Sequence, residues 1–242
     1  MNVRCFDSPE QATAALAGRI ADAIRDRPAL VLGLPTGRTP VSLYAELRRL
    51  HAAGALDFSR VSTFNLDEFV GLKASDAGSF RQYMERHLFR GVNLARERIH
   101  FLDGAATDPD TECARYENAL DAAGGIDLQV LGIGVNGHIG FNEPGDSLVS
   151  RTHRVMLADT TRRDNAAAFG GDAARVPAEA LTIGMGAIMR ASAVALVATG
   201  PEKASCIERM IRGPVTARLP ASFLQLRRHV EVYLDRAAAR RL

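Results

Sequence analysis

The sequence has no tryptophan, only three cysteines, and no apolar run approaching the ~18 residues that a membrane helix needs. Cys5, Cys113 and Cys206 lie far apart, are odd in number and form no CxxC pair. That excludes a disulfide framework or a zinc site and points to reduced thiols. The opening stretch "MNVRCFDSPEQ" turns polar at once and shows no apolar core of a signal peptide. A cytoplasmic protein with no membrane partner is expected. Charge of one sign is also lacking: 30 basic and 28 acidic residues leave a formal charge of +2. The arginines are scattered along helical stretches, so a nucleic-acid partner is not expected. No low-complexity tract, linker or internal repeat appears, and the 242 residues fit one domain, 1–242.

What is present is an alternation of apolar runs, polar or glycine-rich loops and helical stretches. Residues 9–26 have helical periodicity behind an N-cap at Ser8, with Pro9 suited to the first turn. "ALVLGL" (29–34), "VSTFNL" (61–66), "IDLQVLGIG" (126–134), "SAVALVATG" (192–200) and "HVEVYLD" (229–235) read as strands. Residues 41–54, 78–90, 108–122 and 201–213 read as helices. This order predicts an α/β fold: an open, mostly parallel, doubly wound (Rossmann-like) sheet with helices on both faces. Such sheets bind ligands beyond the carboxyl ends of their strands. Four loops fall there, "PTGRTP", "NLDEFVGL", "GVNGHIGFNEPG" and "TGPEKA". They are expected to gather Thr36, Gly37, Thr39, Asp67, Glu68, Asn136, His138, Glu143 and Lys203 around one crevice.

"LGIGVNGHIGFNEPG" (131–145) contains the GxGxxG spacing of a dinucleotide loop. That reading needs a helix straight after the third glycine. Gly140, Pro144 and Gly145 argue against one. His138 and Glu143 instead sit within one short turn-rich span, and a carboxylate beside an imidazole raises its basicity and fixes its tautomer. Asp67 and Glu68 end an apolar strand among Phe64, Phe69 and Val70. Burial there raises a carboxyl pKa towards the range of a general base, and Asp67 is the candidate. "PTGRTP" is no Walker A loop, yet its backbone N–H groups and threonine hydroxyls precede a helix, where a single phosphate is favoured. Lys203 adds positive charge nearby.

Taken in chain order, "LGLPTGRTP", "FNLDEFVGL", "GIGVNGHIGFNEPG", "SRTHRV", "VPAEALTIGMGAIMRA" and "ASFLQLRRH" resemble the glucosamine-6-phosphate deaminase family. The related 6-phosphogluconolactonases share a similar loop but lack the "FNEPG" continuation and the "FNLDEFVGL" box in this form. The resemblance implies conversion of glucosamine 6-phosphate and water to fructose 6-phosphate and ammonia, without cofactor or metal. It implies that His138 opens the sugar ring, Glu143 tunes it, Asn136 orients the imidazole by hydrogen bonding, and Asp67 moves a proton between C2 and C1. Phosphate anchoring is implied for Thr36, Gly37, Arg38, Thr39 and Lys203. A homo-oligomer is compatible with it.

Two departures stand out. Asn136 is neutral where many members carry Asp. Ala167, in "DTTRRDNAAAFG", stands where the family commonly has a phosphate-binding arginine, with Arg162 or Arg163 as the substitutes at hand. Residues 146–177 are expected to form a lid with hinges at Gly170 and Gly171. Only a partial match to the activator-binding basic residues occurs around Arg151 to Arg154, so strong activation by N-acetylglucosamine 6-phosphate is not expected. Alternatives are a galactosamine 6-phosphate isomerase/deaminase, a lactone hydrolase, or a non-catalytic sugar-phosphate sensor. Ammonia release separates them.

Overall fold

The computed structural model describes residues 1–242. Seven of its strands form one sheet in which every pairing is parallel. They are β1 (Asn2–Phe6), β2 (Val31–Leu34), β3 (Ser62–Asn65), β5 (Ile99–His100), β6 (Leu128–Leu131), β9 (Ala193–Ala198) and β10 (Val230–Asp235), in the order β1-β10-β9-β6-β2-β3-β5. The chain winds outward from β2 to β3 and β5, then returns to β6 and winds the other way. The reversal therefore lies between β2 and β6, and the loops leaving these two strands open on a common crevice.

Both sheet faces are covered, which is why the strands read as continuous apolar runs. Along β9, Val194, Leu196 and Ala198 join one core, and Ala195 and Val197 join the other. The first core is packed by α4 (Pro109–Ala122), α6 (Met185–Arg190), α7 (Ala204–Arg212) and α8 (Arg236–Ala239). The second is packed by α1 (Pro9–Asp26), α2 (Pro40–Ala52) and α3 (Phe80–His87). Local signals set the helix ends. The Ser8 hydroxyl accepts from Gln11 N–H at 3.3 Å at the start of α1. Gly54, at φ +72°, turns the chain just after α2.

A second, antiparallel sheet was not expected: β4 (Asp67–Phe69), β7 (His153–Met156) and β8 (Glu179–Thr182), in the order β4-β8-β7. Its strands are only three or four residues long and carry no clear alternation. It changes the shape of the segment 146–177, because residues 153–156 are a strand. Leu157 N–H then donates to Ala178 O at 2.8 Å, so the true excursion is 158–177, closed at its base. It begins with α5 (Asp159–Asn165) and packs a small cluster including Phe69, Phe80, Phe141 and Val176. No helix is long and apolar enough to cross a membrane.

Candidate active site

The loop after β6 does not lead into a helix. It closes on itself, with Gly137 N–H donating to Gly134 O at 2.9 Å and Gly134 N–H to His138 O at 3.0 Å. Gly137 has φ +90°, and a Cβ there would also strike Leu219. At Gly134 a Cβ would lie 2.3 Å from His138 Cε1, so the missing side chain makes room for the imidazole. The glycine spacing that resembles a dinucleotide loop thus serves a histidine.

Glu143 faces that imidazole. Its Oε2 is 3.7 Å from His138 Nδ1, an electrostatic contact too long for a direct hydrogen bond. The carboxylate is held by other donors: Asn136 Nδ2 to Oε2 at 2.8 Å, Thr161 Oγ1 to Oε1 at 2.5 Å, and Ala158 N–H to Oε1 at 3.4 Å. Burial alone pushes the Glu143 carboxyl up, but His138, Thr161 and Asn136 outweigh it and hold it below the usual range. The expectation that Asn136 bonds the imidazole needs correction. Its amide spans Glu143 and the backbone, its Oδ1 accepting His138 N–H at 3.1 Å. Asn136 therefore bonds Glu143 and the loop backbone, not the imidazole.

The two adjacent acids have opposite fates. Glu68 caps α3: its carboxylate accepts from Phe69 N–H at 2.9 Å, Ser79 Oγ at 2.8 Å, Phe80 N–H at 3.0 Å and Arg81 N–H at 3.0 Å. Asp67 is 6% exposed, and no hydrogen bond offsets its burial. Burial, with a smaller push from Glu68, raises its carboxyl to about 8. A buried carboxyl with free oxygens is what a proton-transfer group needs. Its place is fixed on both sides. Leu66 N–H donates to Leu34 O at 3.3 Å, and Asp67 is paired with Thr182 in the β4–β8 ladder.

The loop after β2 forms the other wall. Gly37 has φ +108°, and the N–H groups of Thr36, Gly37, Arg38 and Thr39 find no acceptor within the protein. Four successive free donors ahead of α2 make a cradle for one anion. Tyr83 holds the cradle by donating to Gly37 O at 2.6 Å, and Tyr44 by donating to Pro35 O. Burial above all, with smaller pushes from Tyr83 and Asp67, holds the Tyr44 hydroxyl well above its usual range. Across the crevice Thr39 Oγ1 is 3.4 Å from Thr199 Oγ1, which brings the loop after β9, and Lys203 with it, to the cradle. Burial lowers the Lys203 ammonium despite the opposing pull of Cys206, Asp164 and Glu202, and Arg38 lowers it further.

Of the two arginines weighed as substitutes at Ala167, Arg162 is committed elsewhere. Its guanidinium donates to Val176 O at 3.0 Å and to Ala174 O at 3.2 Å. Arg163 is exposed and enters no ion pair. Sequence reasoning missed Thr161 and Thr182, which touch the functional loop from α5 and β8. Neither carries a local signature, since threonine is common on helices and strands alike.

Comparison with known proteins agrees with this geometry. The sequence pattern of the family described as glucosamine-6-phosphate isomerases/6-phosphogluconolactonase matches residues 7–234. Glucosamine-6-phosphate deaminase 2 of Bacillus subtilis (strain 168) is 44% identical over 243 residues, covering 100% of this chain and 98% of its own. The glucosamine-6-phosphate deaminase of Arthrobacter sp. (strain FB24) is 47% identical, covering 99% of this chain and 92% of its own. A solved monomeric glucosamine-6-phosphate deaminase superposes with a TM-score of 0.97 at 40% identity, over 100% of both chains. The 6-phosphogluconolactonase of Leishmania guyanensis, at 22% identity and a TM-score of 0.78 over 98% and 97% of the two chains, shares the fold. A buried carboxyl, an imidazole–carboxylate pair and a loop of four free N–H groups on a parallel sheet accompany that likeness, and the chain belongs to the glucosamine-6-phosphate isomerase/6-phosphogluconolactonase family.

Proposed function

We propose that the protein is a glucosamine-6-phosphate deaminase, releasing ammonia from D-glucosamine 6-phosphate and leaving D-fructose 6-phosphate. The observation that carries this reading is Asp67: a buried carboxyl without hydrogen bonds, raised to about 8, on a strand whose partner Thr182 holds the loop of His138 and Glu143. A phosphate on Thr36, Gly37, Arg38 and Thr39, with Lys203 beside it, fixes one end of the sugar. Binding energy at that remote end then orients the reacting carbons.

His138 takes the proton of the C1 hydroxyl and returns one to the ring oxygen, which opens the ring to the aldehyde. Glu143 stabilises the imidazolium formed between the two transfers. Asp67 removes the hydrogen at C2 to give the enolamine, and returns it at C1. The resulting C2 imine adds water, and ammonia leaves as the C2 carbonyl forms. One carboxylate serves both carbons because they are neighbours in the enolamine. The excursion 158–177 acts as the lid over this site, a role supported by the contact of Thr161 with Glu143.

Ammonia release is the deciding assay. Glucosamine 6-phosphate is the expected substrate, with glucosamine a much poorer one, and solvent deuterium enters the product at C1. Equal rates on both sugars, or no ammonia at all, overturn the assignment. Galactosamine 6-phosphate, assayed in parallel, tests epimer choice.

A further inference from the structure

Thr161 is 1% exposed and sits on α5, outside the loops that supply the acid–base groups. Its hydroxyl touches both members of the pair, at 2.5 Å from Glu143 Oε1 and 3.4 Å from His138 Nδ1. A threonine hydroxyl has one proton and lone pairs to accept with, whereas an ionised carboxylate only accepts. The Thr161 proton must therefore go to Glu143. Towards His138 the same oxygen can only accept.

The second group facing Nδ1 is Glu143 Oε2, at 3.7 Å, and it too is an acceptor. No donor is bonded to Nδ1. Nε2 has no hydrogen-bond partner in the protein at all. The ring fills the space left by the missing side chain of Gly134 and lies 6.4 Å from Phe141 between ring centroids. Counting donors and acceptors around the imidazole thus leaves a single neutral form.

We infer that Thr161 is a positioning residue that fixes the His138 tautomer: Nδ1 carries the proton, and Nε2 presents its lone pair to the ligand. The hydrogen bonds run one way, with His138 Nδ1–H donating to Thr161 Oγ1 and Thr161 Oγ1–H donating to Glu143 Oε1, and no proton is transferred between these groups. Resting on the deaminase reading, Nε2 is then the atom that accepts the C1 hydroxyl proton and hands it to the ring oxygen. The tautomer assignment itself stands without that reading. It also ties α5 to the chemistry: the base is correctly protonated when α5 is seated on the pair.

The test is long-range 1H–15N correlation on protein labelled at histidine, in alkaline buffer where imidazoles are neutral. His138 signals are assigned by their absence from His138→Asn. In the wild type, Nδ1 is expected as the protonated nitrogen and Nε2 as the bare one. Thr161→Ser keeps the hydroxyl and is expected to keep both the spectrum and the rate. Thr161→Val keeps the shape, removes the acceptor, and is expected to populate the Nε2–H form and lower kcat on the order of 10–10²-fold. A wild-type spectrum showing Nε2–H overturns the proposal, as does a Thr161→Val protein with unchanged tautomer and rate. A wild type with the assigned tautomer that releases no ammonia overturns the deaminase reading alone.

Discussion

Asp67 stands opposite Thr182 in the β4–β8 ladder, and the Thr182 hydroxyl accepts the N–H of Phe141 at 3.1 Å. One residue pair therefore joins the strand bearing Asp67 to the loop bearing His138 and Glu143. Asn142 strengthens the joint by donating to Ile183 O at 2.9 Å. The acid–base groups are held by rigid backbone from two sheets, the arrangement that keeps reacting atoms within tight tolerances.

Replacing Asp67 with Asn is expected to lower kcat on the order of 10²–10⁴-fold and to stabilise the protein. In the fold the Asp67 carboxyl is raised from 3.8 to about 8. Between those values the folded state binds more protons than the unfolded one, so its stability falls as pH rises through the window. The gain in Asp67→Asn should accordingly grow from acid towards pH 8, to on the order of 2–4 kcal/mol. Melting temperatures of both proteins at several pH values check it; a constant difference sinks the claim.

The same raised carboxyl predicts that kcat/KM climbs as pH passes through about 8, where Asp67 ionises in the free protein. Glu68 contributes to that elevation. Glu68→Gln removes the neighbouring charge, so the climb should move to lower pH. It also weakens the α3 cap, and stability should drop by about 1–3 kcal/mol. Rate profiles and denaturant titrations on the same preparations separate the two effects. A profile unmoved by Glu68→Gln would argue that Asp67 is not the titrating group.

Gly134→Ala places a methyl where the His138 ring now lies, 2.3 Å from Cε1. Backbone strain is not at issue, since Gly134 has no positive φ. Displacing the imidazole by about 1 Å should lower kcat roughly 10²-fold while the melting temperature barely moves. Full activity in this variant would show that the ring position is not critical.

Ala167→Arg restores a guanidinium at a position where the resemblance places a phosphate ligand. A bidentate contact of about 1.4 kcal/mol corresponds to a tenfold lower KM for glucosamine 6-phosphate. Glucosamine, lacking the phosphate, should gain nothing. Steady-state kinetics on both sugars decide whether the cradle of Thr36 to Thr39 is complete without it.

The main sheet was legible because buried parallel strands and amphipathic helices announce themselves in apolar spacing. Residues 9–26 and 193–198 were found for that reason. β1 and β5 were missed: β1 lies at an edge, where exposed Asn2, Arg4 and Cys5 break the apolar run, and β5 is an edge strand of only two residues. The second sheet was missed because three- and four-residue strands leave no period to detect. At the site, the residues that the sequence singled out, His138, Glu143 and the loop 36–39 among them, lie on glycine-bearing loops, and the fold places His138 beside Glu143. Thr161 and Thr182 were not singled out, because long-range register brings them in. Asp67 was singled out over Glu68 in the sequence, but the capping of α3 by Glu68 was not assigned, since only the fold reveals that α3 begins beside it.

The closed base of the stretch 158–177 has a consequence for how such proteins diversify. Its two ends enter and leave through one hydrogen bond, between Leu157 and Ala178, flanked by the paired strands β7 and β8. Insertions, deletions or a proteolytic nick inside it would break no ladder and shift no register. The scaffold can therefore explore new ligand ends at this one excursion, as the substitution at Ala167 suggests, provided that Thr161 keeps its contacts with Glu143 and His138.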